Sequence, residues 1–159
     1  MAESRNIFKE GDFALALDQA AARYHKLALV VGQAGTGKSA LLRSISQNLN
    51  IPLLNLGLEL SQKLLPLTIR GRKLNASDIV TDLLDAHAAP RLAVDNTEII
   101  FDPSLMLNPL GLLQTISRNR LLVWAWTGVI EEGHLTYAFH GHPEYHRIPI
   151  QDMTLIAMD

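Results

Sequence analysis

The sequence contains no cysteine among its 159 residues, which excludes a disulfide framework, thiolate-ligated zinc and a cysteine nucleophile. It also lacks an excess of either charge: 14 basic residues stand against 16 acidic ones, a formal net charge of -2. A chain-wide basic field for gripping nucleic acid is thereby excluded, and only a local patch stays open. No apolar run approaches the roughly 20 residues needed to span a bilayer, and the opening Met1-Ala2-Glu3-Ser4-Arg5-Asn6 has no signal-peptide pattern. Internal repeats, low-complexity tracts and linkers are missing too. What is present is the composition of a packed globule, 48% hydrophobic and 19% charged, at a length suited to one domain over 1–159. The expectation is a single cytoplasmic domain with no membrane association.

Phe13, Leu17, Ala20, Ala21 and Tyr24 recur at helical spacing and predict an amphipathic helix ahead of the first strand. Leu27 to Val31 is a short apolar run ending in a glycine-rich turn, the pattern of a strand buried on both faces. Lys38 to Leu49 predicts a helix ended by Asn50, Ile51 and Pro52, and Leu53 to Leu56 a second, weaker strand. Leu58, Leu60, Leu64 and Leu65 suggest a short helix stopped near Pro66, before the basic cluster Arg70, Arg72 and Lys73. The next helix is expected to start from an Asn75 cap, with Asp78 in its first turn. Arg91 to Val94 reads as a strand, Asn108-Pro109 as the opening of a helix, and Leu121 to Trp126 as a further strand. Beyond it, Leu135, Tyr137 and Phe139 alternate behind a Glu132-Gly133 turn and predict a β-hairpin. One last strand is expected between Arg147 and Met158. Strands alternating with helices predict an α/β fold, a parallel sheet covered on both faces.

The strongest motif is Gly32-Gln33-Ala34-Gly35-Thr36-Gly37-Lys38-Ser39, a full match to G-x-x-x-x-G-K-[ST] between an apolar strand and a helix. Its glycines allow backbone N–H groups to turn inward and form an anion site at a helix N-terminus. Lys38 would supply charge to the β- and γ-phosphates of ATP, and the Ser39 hydroxyl would ligate Mg²⁺. Asp95, at the carboxyl end of its strand, is the candidate acid on the magnesium side. The residue that would activate water is less clear, because Asn96 stands where many ATPases of this kind have a glutamate. Glu98 and Glu59 are both candidates, and a site with no proper base is the alternative. Slow or partner-dependent hydrolysis follows as an expectation. Thr127 would lie beside the phosphate loop if its strand runs between those carrying Lys38 and Asp95, the arrangement of the AAA+ and RecA-like (ASCE) division. The strand order itself is not legible in the sequence.

Weaker signals surround this core. His140, His142 and His146 lie near the hairpin, but Gly141 and Pro143 favour a solvated loop over a metal site. Arg118, Arg120 and Arg147 are candidates to act in trans on a neighbour's phosphate, with surface or carboxylate-paired roles as the plainer reading. Arg70, Arg72 and Lys73 form a small positive patch suited to phosphate or an acidic partner surface.

The segments Asp95-Asn96-Thr97-Glu98-Ile99-Ile100-Phe101-Asp102-Pro103-Ser104-Leu105, Ser117-Arg118-Asn119-Arg120, Trp126-Thr127-Gly128 and Gly141-His142-Pro143-Glu144-Tyr145 resemble the BrxF family, small P-loop proteins of BREX bacteriophage-exclusion systems. The resemblance runs from the phosphate loop to Tyr145. It implies an ATPase-like component of a multi-gene defence island, with other components of that assembly as partners and DNA reached through them. The phosphate-loop role carries over to Gly32, Gly35, Gly37, Lys38 and Ser39, and the strand-end acid to Asp95; Glu98 is inferred from this sequence alone.

Three readings follow. The first is an AAA+-like ATP-dependent switch subunit, compatible with a homo-oligomer. The second is a nucleotide-binding scaffold with little hydrolysis, favoured by Asn96. The third is a small-molecule P-loop kinase, disfavoured because Ser117-Arg118-Asn119-Arg120 makes a poor lid. AAA+ proteins usually follow this core with a helical lid, for which the length leaves no room, so a lidless three-layer core is expected. ATP or GTP preference is not legible.

Overall fold

The computed structural model describes residues 6–138 and 141–158. Strands β1 (Ile7–Lys9), β2 (Leu27–Gly32), β3 (Leu53–Asn55), β4 (Arg91–Asp95), β5 (Leu121–Glu131) and β8 (Thr154–Ala157) form a parallel sheet in the order β1-β8-β2-β5-β4-β3. Each central strand alternates its side chains between two cores. Leu27, Leu29 and Val31 of β2 and Leu122, Trp124 and Trp126 of β5 enter one core; Ala28, Val30, Val123 and Ala125 enter the other. Burial on both faces explains the unbroken apolar runs that mark these strands in the sequence.

Helices cover the two faces. Ala16, Leu17 and Ala20 of α1 (Phe13–Ala21) join Leu41, Leu42 and Ile45 of α2 (Lys38–Leu49) in one layer. The opposite layer holds α3 (Leu56–Leu64), α4 (Ile69–Asp85) and α5 (Pro109–Ile116), with Leu60, Val80 and Leu112 buried against the sheet. The expected α/β architecture, a mostly parallel sheet between helical layers, is therefore present. No helix among the described residues is long and apolar enough to cross a membrane.

Past Thr127, β5 leaves the parallel sheet and pairs antiparallel with β6 (His134–Tyr137), which pairs antiparallel with β7 (His146–Pro149). The expected hairpin is thus one part of a three-stranded meander; Phe139, counted in its alternation, lies outside the described residues.

Four local expectations need correction. Tyr24 lies beyond the end of α1 and is exposed, because the helix closes at Ala21. Leu56 begins α3 rather than ending β3, since the Asn55 side chain accepts from the Leu58 N–H and caps the helix there. Asn75 is no cap: α4 starts two turns earlier, where Thr68 Oγ1 accepts from the Gly71 N–H at 3.0 Å, and Asn75 lies within the helix, donating to Gly71 O. The stretch from Arg147 to Met158 supplies two strands, β7 and β8, parted by a turn in which Asp152 is left-handed at φ 47.

Candidate functional site

All strands of the parallel sheet point their carboxyl ends the same way, and the phosphate-loop motif lies at that end, between β2 and α2. Gly35 and Gly37 sit at φ 82 and φ 97, a left-handed backbone that side-chain-bearing residues rarely adopt. Inside the loop, Lys38 Nζ donates to the Gln33 carbonyl at 2.9 Å, and Thr36 Oγ1 donates to the same oxygen at 2.7 Å. Among the described residues Lys38 is the one buried charged side chain, at 8% exposure. Burial pushes its pKa below the ordinary 10.5, and the carboxylates of Glu98 and Asp95 pull in the opposite direction. A cation held in this way, with the loop carbonyl as its partner, is prepared to exchange that partner for an anion.

β5 is hydrogen-bonded to β2 on one side and β4 on the other, with Gly32 paired to Thr127 and Val94 to Trp124. This order brings together the residues singled out in separate parts of the sequence. Lys38, Ser39, Asp95, Glu98 and Thr127 line one cleft of about 440 Å³, with Ala34, Gly35 and Gly37 forming its floor. Arg43, exposed on α2, also lines this cleft and carries no local signal in the sequence, since an arginine on a helix surface is ordinary; only the turn-and-a-half spacing from Lys38 could have suggested it. Asn96, which stands where a glutamate is usual, lines it too.

Asn96 takes a left-handed backbone at φ 53, and its N–H donates to Asp95 Oδ1 at 2.8 Å. The chain then turns sharply, and the buried Thr97 hydroxyl donates to the Ala125 carbonyl of β5. This anchor fixes the short 3-10 turn Glu98–Phe101. Thr127 Oγ1 donates to Glu98 Oε1 at 2.6 Å, so the displaced acid is held at the end of β5 rather than directly after Asp95. Glu59 is not among the residues lining this cleft.

The same turn is tied to the meander through aromatic rings. Phe101 stacks on Tyr137 with centroids 3.7 Å apart and meets Trp126 edge-on at 5.1 Å. Trp126 Nε1 donates to the Thr136 carbonyl at 2.9 Å. Burial raises the Tyr137 pKa, and the nearby negative charges of Glu144 and Glu98 raise it further. A second cleft of about 480 Å³, bounded by Gln33, Ala34, Thr127, Val129, Glu131 and Tyr145, opens beside the first, between loop and meander.

The three candidate arginines lie elsewhere. Arg120 donates to the Leu84 and His87 carbonyls and pairs with Asp85, Arg147 pairs with Glu132, and Arg118 stacks over the Tyr24 ring. Among the described residues no three His, Asp or Glu side chains gather in a metal-binding cluster. His142 and His146 are engaged locally, His142 Nδ1 accepting from the Glu144 N–H and His146 Nδ1 lying 2.9 Å from the Glu144 carbonyl; His140 is outside the described residues.

The cleft places a buried cation, Lys38, beside the hydroxyls of Ser39 and Thr127 and the carboxylates of Asp95 and Glu98. Ser39 and Asp95 are oxygen donors of the hard kind that Mg²⁺ prefers, and two protein ligands suit an ion that keeps several waters and binds phosphate oxygens. No family model matches the chain, and no curated protein matches it.

Proposed function

We propose that this protein is a P-loop NTPase core of the AAA+-like (ASCE) kind that binds Mg²⁺-ATP and hydrolyses it slowly, as a nucleotide-dependent switch subunit of a larger assembly. The observation that carries the reading is the insertion of β5 between β2 and β4, which lines one cleft with Lys38, Ser39, Asp95, Glu98 and Thr127. A Gly-rich turn with a purely structural role has no need of two acids and a buried lysine around it.

In this reading the loop N–H groups and Lys38 bind the phosphates, Lys38 exchanging the Gln33 carbonyl for phosphate oxygen. Ser39 and Asp95 would hold Mg²⁺, which would supply positive charge to the phosphates, and Asp95 is oriented for this by the Asn96 N–H. Glu98 accepts the proton of the attacking water, and Thr127 orients Glu98. Resemblance to the BREX proteins supplies the setting: a cytoplasmic defence assembly whose other proteins are the partners, with DNA met through them.

A scaffold that binds nucleotide with little hydrolysis is the second reading, favoured by the same Thr127–Glu98 hydrogen bond, which occupies the one glutamate that lines the cleft among the described residues. Phosphate release from ATP and GTP, with wild type and Lys38→Ala, alone and with duplex DNA, tests both. Saturable Mg²⁺-ATP binding lost in Lys38→Ala, with slow release, is expected. Fast motor-like turnover by the isolated chain contradicts the partner-dependent switch, and phosphoryl transfer to a metabolite replaces it with a kinase.

A further inference from the structure

The junction of α3 and α4 exposes more aliphatic surface than its surroundings require. Leu65, Ile69 and Leu74 are 76%, 75% and 66% exposed, within ten residues of one another. Residues 63–74 also carry Lys63, Arg70, Arg72 and Lys73 with no acid among them, in a chain whose net charge is -2. This apolar and basic knob is held rigid. Arg72 Nε donates to the Leu64 carbonyl at 2.9 Å and to the Leu67 carbonyl at 3.2 Å, and its Nη2 donates to the Leu65 carbonyl at 3.3 Å. The guanidinium thus satisfies the open end of α3 and fixes the chain in a form that keeps Leu65 and Ile69 in solvent. Exposed aliphatics on a fixed scaffold mark a contact surface, because nothing about a mobile tip excuses them.

The complementary surface lies on the same chain. Glu10, Asp12 and Asp18 are exposed around the start of α1, with Leu15 63% exposed between them. Residues 9–18 carry one lysine against these three acids. The two surfaces belong to opposite ends of the sheet. β1, with α1 packed beside it, is one edge strand, and β3, from which the chain runs directly into α3, is the other. They also lie at the same level. Glu10 follows the carboxyl end of β1, while Leu65 and Arg72 border a small cleft with Ile99, Asp102 and Ser104, in the segment after the carboxyl end of β4.

We propose that these surfaces bind each other between copies: the basic α3–α4 knob of one chain docks on the acidic α1 edge of the next, head to tail. Such a contact is heterologous, so it closes into a ring or continues as a filament. Opposite charge at the rim sets the register, and Leu65, Ile69 and Leu74 against Leu15 supply the apolar centre. The knob borders Ile99, next to Glu98, so the docked edge lies beside the turn that holds the candidate base. The inference goes beyond the proposed function and is read without nucleotide, so either can fail alone.

Sedimentation velocity of the full chain at low and high salt tests it. Wild type is expected to exceed the 17.6 kDa monomer mass in a concentration-dependent way and to dissociate as salt rises. Ile69→Glu is expected to be monomeric. So are the reversal pairs Arg70→Glu/Lys73→Glu and Asp12→Lys/Asp18→Lys, each alone; mixing the two, or placing all four changes in one chain, is expected to restore assembly. All these positions are exposed, and far-UV circular dichroism checks that each variant folds. A wild type that stays monomeric at its solubility limit overturns the proposal. So does assembly that survives both reversals, or that mixing fails to restore.

Discussion

Thr127 Oγ1, at the end of β5, donates to Glu98 Oε1 at 2.6 Å, joining the last residue of the parallel part of one strand to the turn that follows its neighbour. The two are 29 positions apart in sequence, and the bond exists only because β5 lies beside β4. It places the displaced acid opposite Lys38, in the cleft that Asp95 also enters.

Thr127→Val removes the donor while keeping the shape of the side chain. Hydrolysis is expected to fall by roughly 10- to 100-fold, with the Kd for Mg²⁺-ATP within a factor of about three. Glu98→Gln is expected to give a similar loss, and the double variant no more than either alone, since both act through one unit. Single-turnover phosphate release with parallel equilibrium binding checks this; additive losses would separate the two residues.

Lys38 gives a pH dependence with a definite sign. Burial lowers its pKa in the folded protein, so it loses its proton at a pH below 10.5, earlier than an exposed lysine would. ATP affinity is therefore expected to decline on the alkaline side as pH rises through that lowered value. In the unfolded chain the lysine keeps its proton longer, so the nucleotide-free protein gains stability from the lowered pKa up to the ordinary one. Lys38→Met is expected to abolish that alkaline gain and to raise Tm of the nucleotide-free protein by a few degrees, because it removes a desolvated charge. Thermal melts across alkaline pH, beside nucleotide titrations, check both.

Phe101 links Glu98 to the meander. Phe101→Leu keeps most of the buried volume and loses the Tyr137 stack and the Trp126 edge contact, worth about 1 kcal/mol of stability. Its larger effect is expected on turnover, with nucleotide affinity unchanged, because the 3-10 turn carrying Glu98 loses its support. Urea midpoints and kcat against KM separate the two effects.

Gly128 marks where β5 leaves the parallel sheet. A Cβ there would overlap the Thr136 carbonyl oxygen, which is backbone and cannot swing aside. Gly128→Ala is expected to cost about 3 kcal/mol, read as a lower urea midpoint, with the Trp126–Thr136 hydrogen bond lost from the tryptophan emission.

Much of this was legible in the sequence where the physics is local. The α2 boundaries follow from a glycine-rich turn before Lys38 and a left-handed Asn50 after Leu49, and the apolar runs of β2, β4 and β5 follow from burial on both faces. Elsewhere the deciding contact is distant. β1 spans Ile7–Lys9, too short to register, and is a strand because β8 pairs with it. Residues 66–74 resemble a basic loop because Gly71 interrupts the apolar period, yet the Thr68 cap and the Arg72 bonds to α3 carbonyls make them the start of α4. For the candidate site, the loop and Asp95 could be read from motif and strand end. The strand order and the Thr127–Glu98 bond depend on tertiary packing, which no spacing rule encodes.

The most direct measurement is equilibrium binding of ATP to the wild type, Lys38→Ala and Asp95→Asn, with and without Mg²⁺. The account predicts saturable one-to-one binding by the wild type, strengthened by Mg²⁺. It predicts a loss of 100-fold or so in Lys38→Ala, and binding by Asp95→Asn that no longer responds to Mg²⁺. A wild type that binds no nucleotide, or a Lys38→Ala variant that binds as tightly as the wild type, would contradict it.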